Sequence, residues 1–193
     1  MTGKLGPVGE PFALDVGCGE SPDPRASVCI DSMPYGRATA RASVLRLPFA
    51  DSVFTLATAH QVLEHVPTGG GTSDPFFTAC DEVWRVLAPG GTFEFDVPHV
   101  LGPYAFSDPT HRRFFNPHSL SWLWGHPESL ARRKRWELVS LQVRRCFPGG
   151  GFVNYFLRER LPRVGAVLDT CRVGRPALIF VVLRKPLASD EGT

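Results

Sequence analysis

The feature that most constrains this chain is a short apolar run that breaks on glycines, Phe12-Ala13-Leu14-Asp15-Val16-Gly17-Cys18-Gly19. An apolar stretch this short, bounded by a turn signal, reads as a buried strand. Two glycines one residue apart let the backbone turn sharply and pass close to a ligand, where a side chain would intrude. Ser27-Val28-Cys29-Ile30-Asp31 follows as a second strand that ends on a carboxylate. Such strands alternating with helices imply a mostly parallel α/β sheet, whose ligands bind beyond the carboxyl ends of the strands. Asp15, Gly17, Gly19 and Asp31 all stand at those ends.

The rest of the chain continues the alternation. Residues 53–58 read as a strand, followed by a short helical stretch over residues 61–65 and a break at Gly69-Gly70-Gly71. Asp74 and Pro75 form an N-cap and first-turn pair, and Ala79, Val83, Val86 and Leu87 recur at helical spacing before Pro89-Gly90-Gly91. Thr92-Phe93-Glu94-Phe95-Asp96-Val97-Pro98 alternates like a strand, although its two acids sit uneasily with a central, buried place. Residues 99–125 are an excursion in which Asn116-Pro117 opens a short helix with Leu120, Leu123 and Trp124 on one face. Residues 136–146 and 177–184 are the last strands, separated by the breaker Pro148-Gly149-Gly150-Gly151 and a helix over residues 154–161. Residues 189–193 are a frayed tail.

Size and composition fit one domain spanning residues 1–193, with a lid-like insertion at about 99–125. The strongest apolar run, residues 177–183, is far short of the about 20 residues that cross a bilayer, and the N-terminus opens no apolar leader. A cytoplasmic protein with no membrane partner is expected. Five cysteines without a C-x-x-C pair argue against a disulfide framework and a structural zinc site. Charge is uneven: residues 1–100 carry 6 Lys and Arg against 12 Asp and Glu, the remainder 15 against 7. A solvated basic face is the plainer account of that second half, with an anionic substrate, a nucleic acid or an acidic partner as the rivals.

Asp15 beside the glycine turn suits a cationic ligand and repels a pyrophosphate. The third glycine of a nicotinamide-binding turn would also have to fall where Pro22 stands. Five blocks in order, Leu14-Asp15-Val16-Gly17-Cys18-Gly19, Cys29-Ile30-Asp31, Leu47-Pro48-Phe49-Ala50-Asp51-Ser52-Val53-Phe54, Val62-Leu63-Glu64-His65-Val66 and Val86-Leu87-Ala88-Pro89-Gly90-Gly91, closely resemble class I S-adenosylmethionine-dependent methyltransferases of the type 11-like subgroup. The resemblance covers residues 12–98. It implies a Rossmann-like sheet, mostly parallel with an antiparallel C-terminal strand, and S-adenosyl-L-methionine as cofactor. It further implies that Gly17 and Gly19, with Asp15 beside them, line the cofactor's amino-acid end. Asp31 would hold the ribose, Met33 and Leu47 flank the adenine, and His60 lie near the transferable methyl group.

Two departures stand out. Only residues 20–27 link the glycine loop to the ribose acid, with Pro22 and Pro24 inside, so the usual crossover helix should be absent or one turn long. The acid that the family often offers to the adenine amino group is missing near residues 42–45, leaving backbone groups or Asp51 to substitute.

Ser107-Asp108-Pro109-Thr110-His111-Arg112-Arg113-Phe114-Phe115 resembles a segment that lies over the active-site mouth in a subgroup of these enzymes. His111 is a candidate general base, its unperturbed pKa of about 6.5 suiting proton abstraction at neutral pH, or else a residue that pins the lid with Asp108. His60 joins His111 as a catalytic candidate. Glu64-His65 is read as a packing and hydrogen-bonding pair. A metal held by three of His99, Asp108, His111 and His118 has irregular spacing against it, and no metal is expected. The implied reaction is methyl transfer to an O or N atom of a small or medium organic acceptor, a sugar or natural-product intermediate. The alternatives are an RNA or protein methyltransferase and a non-catalytic cofactor-binding partner subunit. The oligomeric state is open, a homodimer included.

Overall fold

The structure is a computed structural model that describes residues 12–34, 36–69, 74–125, 136–146, 161–171 and 174–187. Its strands are β1 (Ala13–Val16), β2 (Val28–Asp31), β3 (Ala40–Arg41), β4 (Phe54–His60), β5 (Leu87–Pro98), β6 (Glu137–Cys146) and β7 (Arg175–Arg184). The helices are α1 (Pro75–Val86), α2 (Pro117–Leu120) and α3 (Pro162–Thr170), with single 3-10 turns at Leu63–His65 and Ser121–Leu123. The strands form one sheet in the order β3-β2-β1-β4-β5-β7-β6. β1 to β5 pair in parallel, while β7 runs antiparallel to both β5 and β6. The expected mixed Rossmann-like sheet is thus observed. No helix among the described residues is long and apolar enough to span a membrane.

The order reverses between β1 and β4, so the carboxyl ends of β1, β2 and β4 open onto a crevice at the switch point. Every residue of β1 is buried, as expected for a strand covered on both faces. No helix forms in residues 20–27, because Pro22 and Pro24 sit in a stretch too short to cross the sheet. β5 is central despite its acids. Asp96 lies near its carboxyl end, where polar partners meet it, and Glu94 is only half-buried and pairs with Arg25. Pro89-Gly90-Gly91 falls inside the residues assigned to β5, since α1 stops at Val86 and the chain passes directly into extended backbone.

α1 begins as its sequence implies. The Asp74 carboxylate accepts the Phe76 N–H at 2.8 Å, Pro75 takes the first turn, and Phe76, Ala79, Cys80, Val83, Trp84 and Val86 face the core. Its last turn supplies a hub that local pattern did not reveal. The Arg85 guanidinium donates to the carbonyls of Phe49 at 2.7 Å and Leu47 at 2.9 Å, and also binds Glu82 and Asp51. This holds the Leu-Pro-Phe block against the helix. Residues 99–125 fold back over the turn after β4, where the Glu64 carbonyl accepts the N–H groups of Arg112 at 2.8 Å and Arg113 at 3.1 Å. The Arg113 side chain binds the Val66 and Pro67 carbonyls and pairs with Asp74 at 2.6 Å. α2 starts with the expected cap, Asn116 and Ser119 bonding each other's backbone. The breaker at 148–151, residues 154–160 of the helix expected over 154–161, and the tail at 189–193 lie outside the described residues.

Candidate active site

The glycine loop is shaped by backbone conformation and by the acids around it. Gly17 and Gly19 both take positive φ, +71° and +54°, which L side chains adopt only with strain. A Cβ on Gly17 would stand 2.5 Å from a methyl of Val62, whereas one on Gly19 would meet nothing within 4 Å. Asp31 braces the loop, one carboxylate oxygen accepting the Gly19 N–H at 2.9 Å and the other the Met33 N–H at 2.8 Å. Each of those oxygens retains a second lone pair for a ligand hydroxyl. Asp15 is buried, paired in register with Thr58, whose hydroxyl it accepts at 3.0 Å, and it also accepts the Asp23 N–H at 2.8 Å.

His60 closes β4 directly across from Asp96 on β5. Its Nδ1 lies 2.6 Å from Asp96 Oδ1, and its Nε2 lies 3.4 Å from Asp23 Oδ2. The hydrogen bond to Asp96 raises the imidazole pKa to about 9, against a burial effect that pulls the other way. His60 is therefore cationic at neutral pH, a proton donor held between two carboxylates. Asp96 is engaged on its other oxygen by the Gln61 amide at 2.5 Å. Asp23, held by Arg25, titrates well below the usual carboxylate range.

A pocket opens beside the loop, with Val16, Gly17 and Ser32 on one side, residues 42–45 on the second, and Val62, His65, Val66 and Pro67 on the third. Val44 and Leu45 line it. Leu47 is buried in the core, its N–H donating to Glu82 at 2.8 Å, and is not among the residues lining this pocket. Met33 is largely exposed at 55%. Asp51 is drawn onto Arg85, which leaves backbone groups of residues 42–45 facing the pocket.

The four polar residues of the excursion do not gather. His99 is buried, and its Nδ1 accepts the Leu101 N–H at 3.1 Å; burial and the Arg145 charge lower its pKa. His118 is exposed on α2. His111 lies instead against pocket-lining His65, ring centroids 4.8 Å apart. Its Nδ1 is 2.9 Å from the Ala105 carbonyl, and its Nε2 is 4.0 Å from Glu64 Oε1 and from Asp108 Oδ2. Glu64, read from sequence as a packing residue, has a fully buried carboxyl group whose oxygens have no hydrogen-bond partner among the described residues. Burial pushes its pKa up to about 8. The available signal was its position, an ionisable residue flanked by Val62, Leu63 and Val66.

The switch-point crevice, glycine loop and acid at the end of β2, in a sheet of order β3-β2-β1-β4-β5-β7-β6 with β7 antiparallel, define a protein of Rossmann-like fold. Residues 14–95 match the family model described as "Methyltransferase domain". No curated protein sequence matches the chain. Among solved structures, a SAM-dependent methyltransferase from Archaeoglobus fulgidus is 14% identical, with a TM-score of 0.59 over 92% of this chain and 87% of that one. The [4+2]-cyclase SpnF is 19% identical, with a TM-score of 0.56 over 93% and 76%. A structure from Haloferax volcanii, a complex between the Trm112 methyltransferase activator and a methyltransferase, gives 13% identity and a TM-score of 0.57 over 92% and 83%. At these identities the likeness is one of fold.

The residues present fit S-adenosylmethionine as cofactor. The open space at Gly19 would take a ligand, Val44 and Leu45 give the pocket an apolar wall, and the acids Asp15, Asp23 and Asp31 suit a molecule carrying a sulfonium and an ammonium.

Proposed function

We propose that this chain transfers a methyl group from S-adenosylmethionine to an oxygen or nitrogen of a small or medium organic acceptor, such as a sugar or natural-product intermediate. The observation that carries this reading is the glycine loop braced by Asp31 beside an apolar-walled pocket at the switch point. Bound there, the cofactor supplies an electrophilic methyl on its sulfonium. Gly17, Gly19 and Asp15 take the amino-acid end, Asp31 the ribose, and Met33 with Val44 and Leu45 the adenine. His60 stands at the methyl end as a charged hydrogen-bond donor that orients the acceptor. Residues 99–125 act as the lid, shutting out water that would weaken every electrostatic contact inside. Tyr104, Phe106 and Phe114 give that segment exposed aromatic surface, with Phe106 and Phe114 stacked at 4.5 Å, which favours an organic acceptor over a polyanion. His111 presents Nε2 beneath the lid.

Methyl transfer of this kind needs alignment and a dry site more than covalent help. Calorimetry with S-adenosylmethionine, followed by methyl-release assays against metabolite, RNA and protein pools, tests the reading. Turnover is expected with a metabolite fraction and with salt-insensitive acceptor binding. Turnover on RNA that falls steeply with salt would replace the acceptor class. Binding without methyl release from any pool would make the chain a non-catalytic partner subunit. His111→Ala should lower turnover while cofactor affinity holds.

A further inference from the structure

We propose that Glu64, His65 and His111 bind one divalent transition-metal cation in the wall of the pocket. A ring nitrogen from each histidine and a carboxylate oxygen of Glu64 all lie within 4.8 Å of one another. Ligands joined to one ion by bonds of about 2.1 Å at octahedral or tetrahedral angles stand roughly 3.0 to 3.4 Å apart, so side-chain movements of about an ångström close the site.

Glu64 is the observation that makes this more than a cluster. Its carboxyl group is fully buried, neither oxygen has a hydrogen-bond partner among the described residues, and Oε1 faces His111 Nε2 at 4.0 Å. That gap is too long for a hydrogen bond and wide enough for an ion bonded to both atoms. A buried carboxyl group left without a partner is costly, and natural structures keep such groups where something else completes them.

The hydrogen bonds behind the histidines point the same way. The Ala105 carbonyl can only accept, so His111 Nδ1, 2.9 Å away, carries the proton and Nε2 keeps its lone pair toward Glu64. The Thr110 hydroxyl gives its own hydrogen to Asp108 Oδ1 at 2.7 Å and so accepts from His65 Nδ1 at 3.0 Å. His65 Nε2 is thereby left with its lone pair. Histidine ligands are commonly oriented in this way, one ring N–H donated to a carbonyl, hydroxyl or carboxylate behind it. Two imidazoles and one carboxylate suit manganese, iron, cobalt or zinc better than the all-oxygen preference of calcium or magnesium. Three protein ligands leave positions open. His65 also lines the pocket, so, resting on the methyltransferase reading, those positions would take an oxygen of the acceptor and hold it beside the methyl group.

The test uses the untagged full chain, stripped with a chelator and titrated with Co²⁺ by calorimetry and visible ligand-field absorption. One Co²⁺ per chain should bind, displaceable by Zn²⁺. Glu64→Gln and His111→Ala should each weaken it at least tenfold, while His118→Ala leaves it unchanged. Should either site variant fold poorly, the wild-type melting temperature must still rise with Co²⁺ and that rise must vanish in His65→Ala. Absence of saturable one-to-one binding, or affinity unchanged in both Glu64→Gln and His111→Ala, overturns the cation site. Parallel calorimetry with S-adenosylmethionine in chelator separates the two readings. Cofactor binding without Co²⁺ binding removes the cation site alone, and Co²⁺ binding without cofactor binding removes the methyltransferase reading alone.

Discussion

Replacing Asp96 by asparagine isolates the strongest charge contact at the floor of the site. His60 Nδ1 is 2.6 Å from Asp96 Oδ1, and that bond is the main reason the imidazole pKa rises from an ordinary 6.5 to about 9. At about 1.36 kcal/mol per pKa unit the rise corresponds to roughly 3 kcal/mol between the protonation states. The His60 side chain is 47% exposed, so solvent screening reduces the stabilisation to about 1 to 2 kcal/mol. The folded pKa is the higher one. The contribution is therefore complete below pH 6.5 and lost as pH climbs through about 9. Urea unfolding at a series of pH values should show the wild type losing about 1 to 2 kcal/mol more than Asp96→Asn across that window. The His60 ring resonances should titrate near 9 in the wild type and close to the ordinary 6.5 in the variant. A wild-type His60 titrating near 6.5, or parallel stability curves for the two proteins, would refute the assignment of His60 as a cation at neutral pH.

Three further substitutions probe the loop and its support. Asp31→Ala should weaken S-adenosylmethionine binding by about 1.5 to 3 kcal/mol in calorimetry, the range for hydrogen bonds to a charged group, and unchanged affinity would take Asp31 out of the cofactor site. Gly17→Val should lower the melting temperature as well as cofactor affinity, because its side chain would meet Val62 at 2.5 Å on backbone of positive φ. Pairing Gly17→Ala with Val62→Ala relieves the clash but not the φ strain, so cofactor affinity that recovers fully in the pair would show that packing against Val62 was the whole requirement. Arg85→Met should destabilise the fold by about 2 to 3 kcal/mol in urea unfolding, since it strips donors from the Leu47 and Phe49 carbonyls and leaves Glu82 without its partner on α1. A loss below about 0.5 kcal/mol would mean that water replaces the guanidinium at no cost.

What the chain declares locally, it declared correctly. The glycine turn, the acid ending β2, the Asp74-Pro75 start of α1 and the Asn116 cap of α2 each depend on neighbours within a few residues. Their φ/ψ demands and hydrogen bonds are written into adjacent side chains. The prolines of residues 20–27 likewise forbade a helix without help from the rest of the molecule. Other features were decided by partners far away in sequence. β3 is two exposed residues with no pattern of their own, a strand only because β2 offers an edge. Leu47 turned into the core because Glu82 and Arg85 seize the backbone around it, while Val44 and Leu45 line the pocket. His60 became a cation because parallel register set it opposite Asp96, 36 residues on. Glu64 lost its water and gained His111 as neighbour only when residues 99–125 folded over it. A residue's charge state and ligand set depend on what surrounds it in space, and folding alone supplies those surroundings.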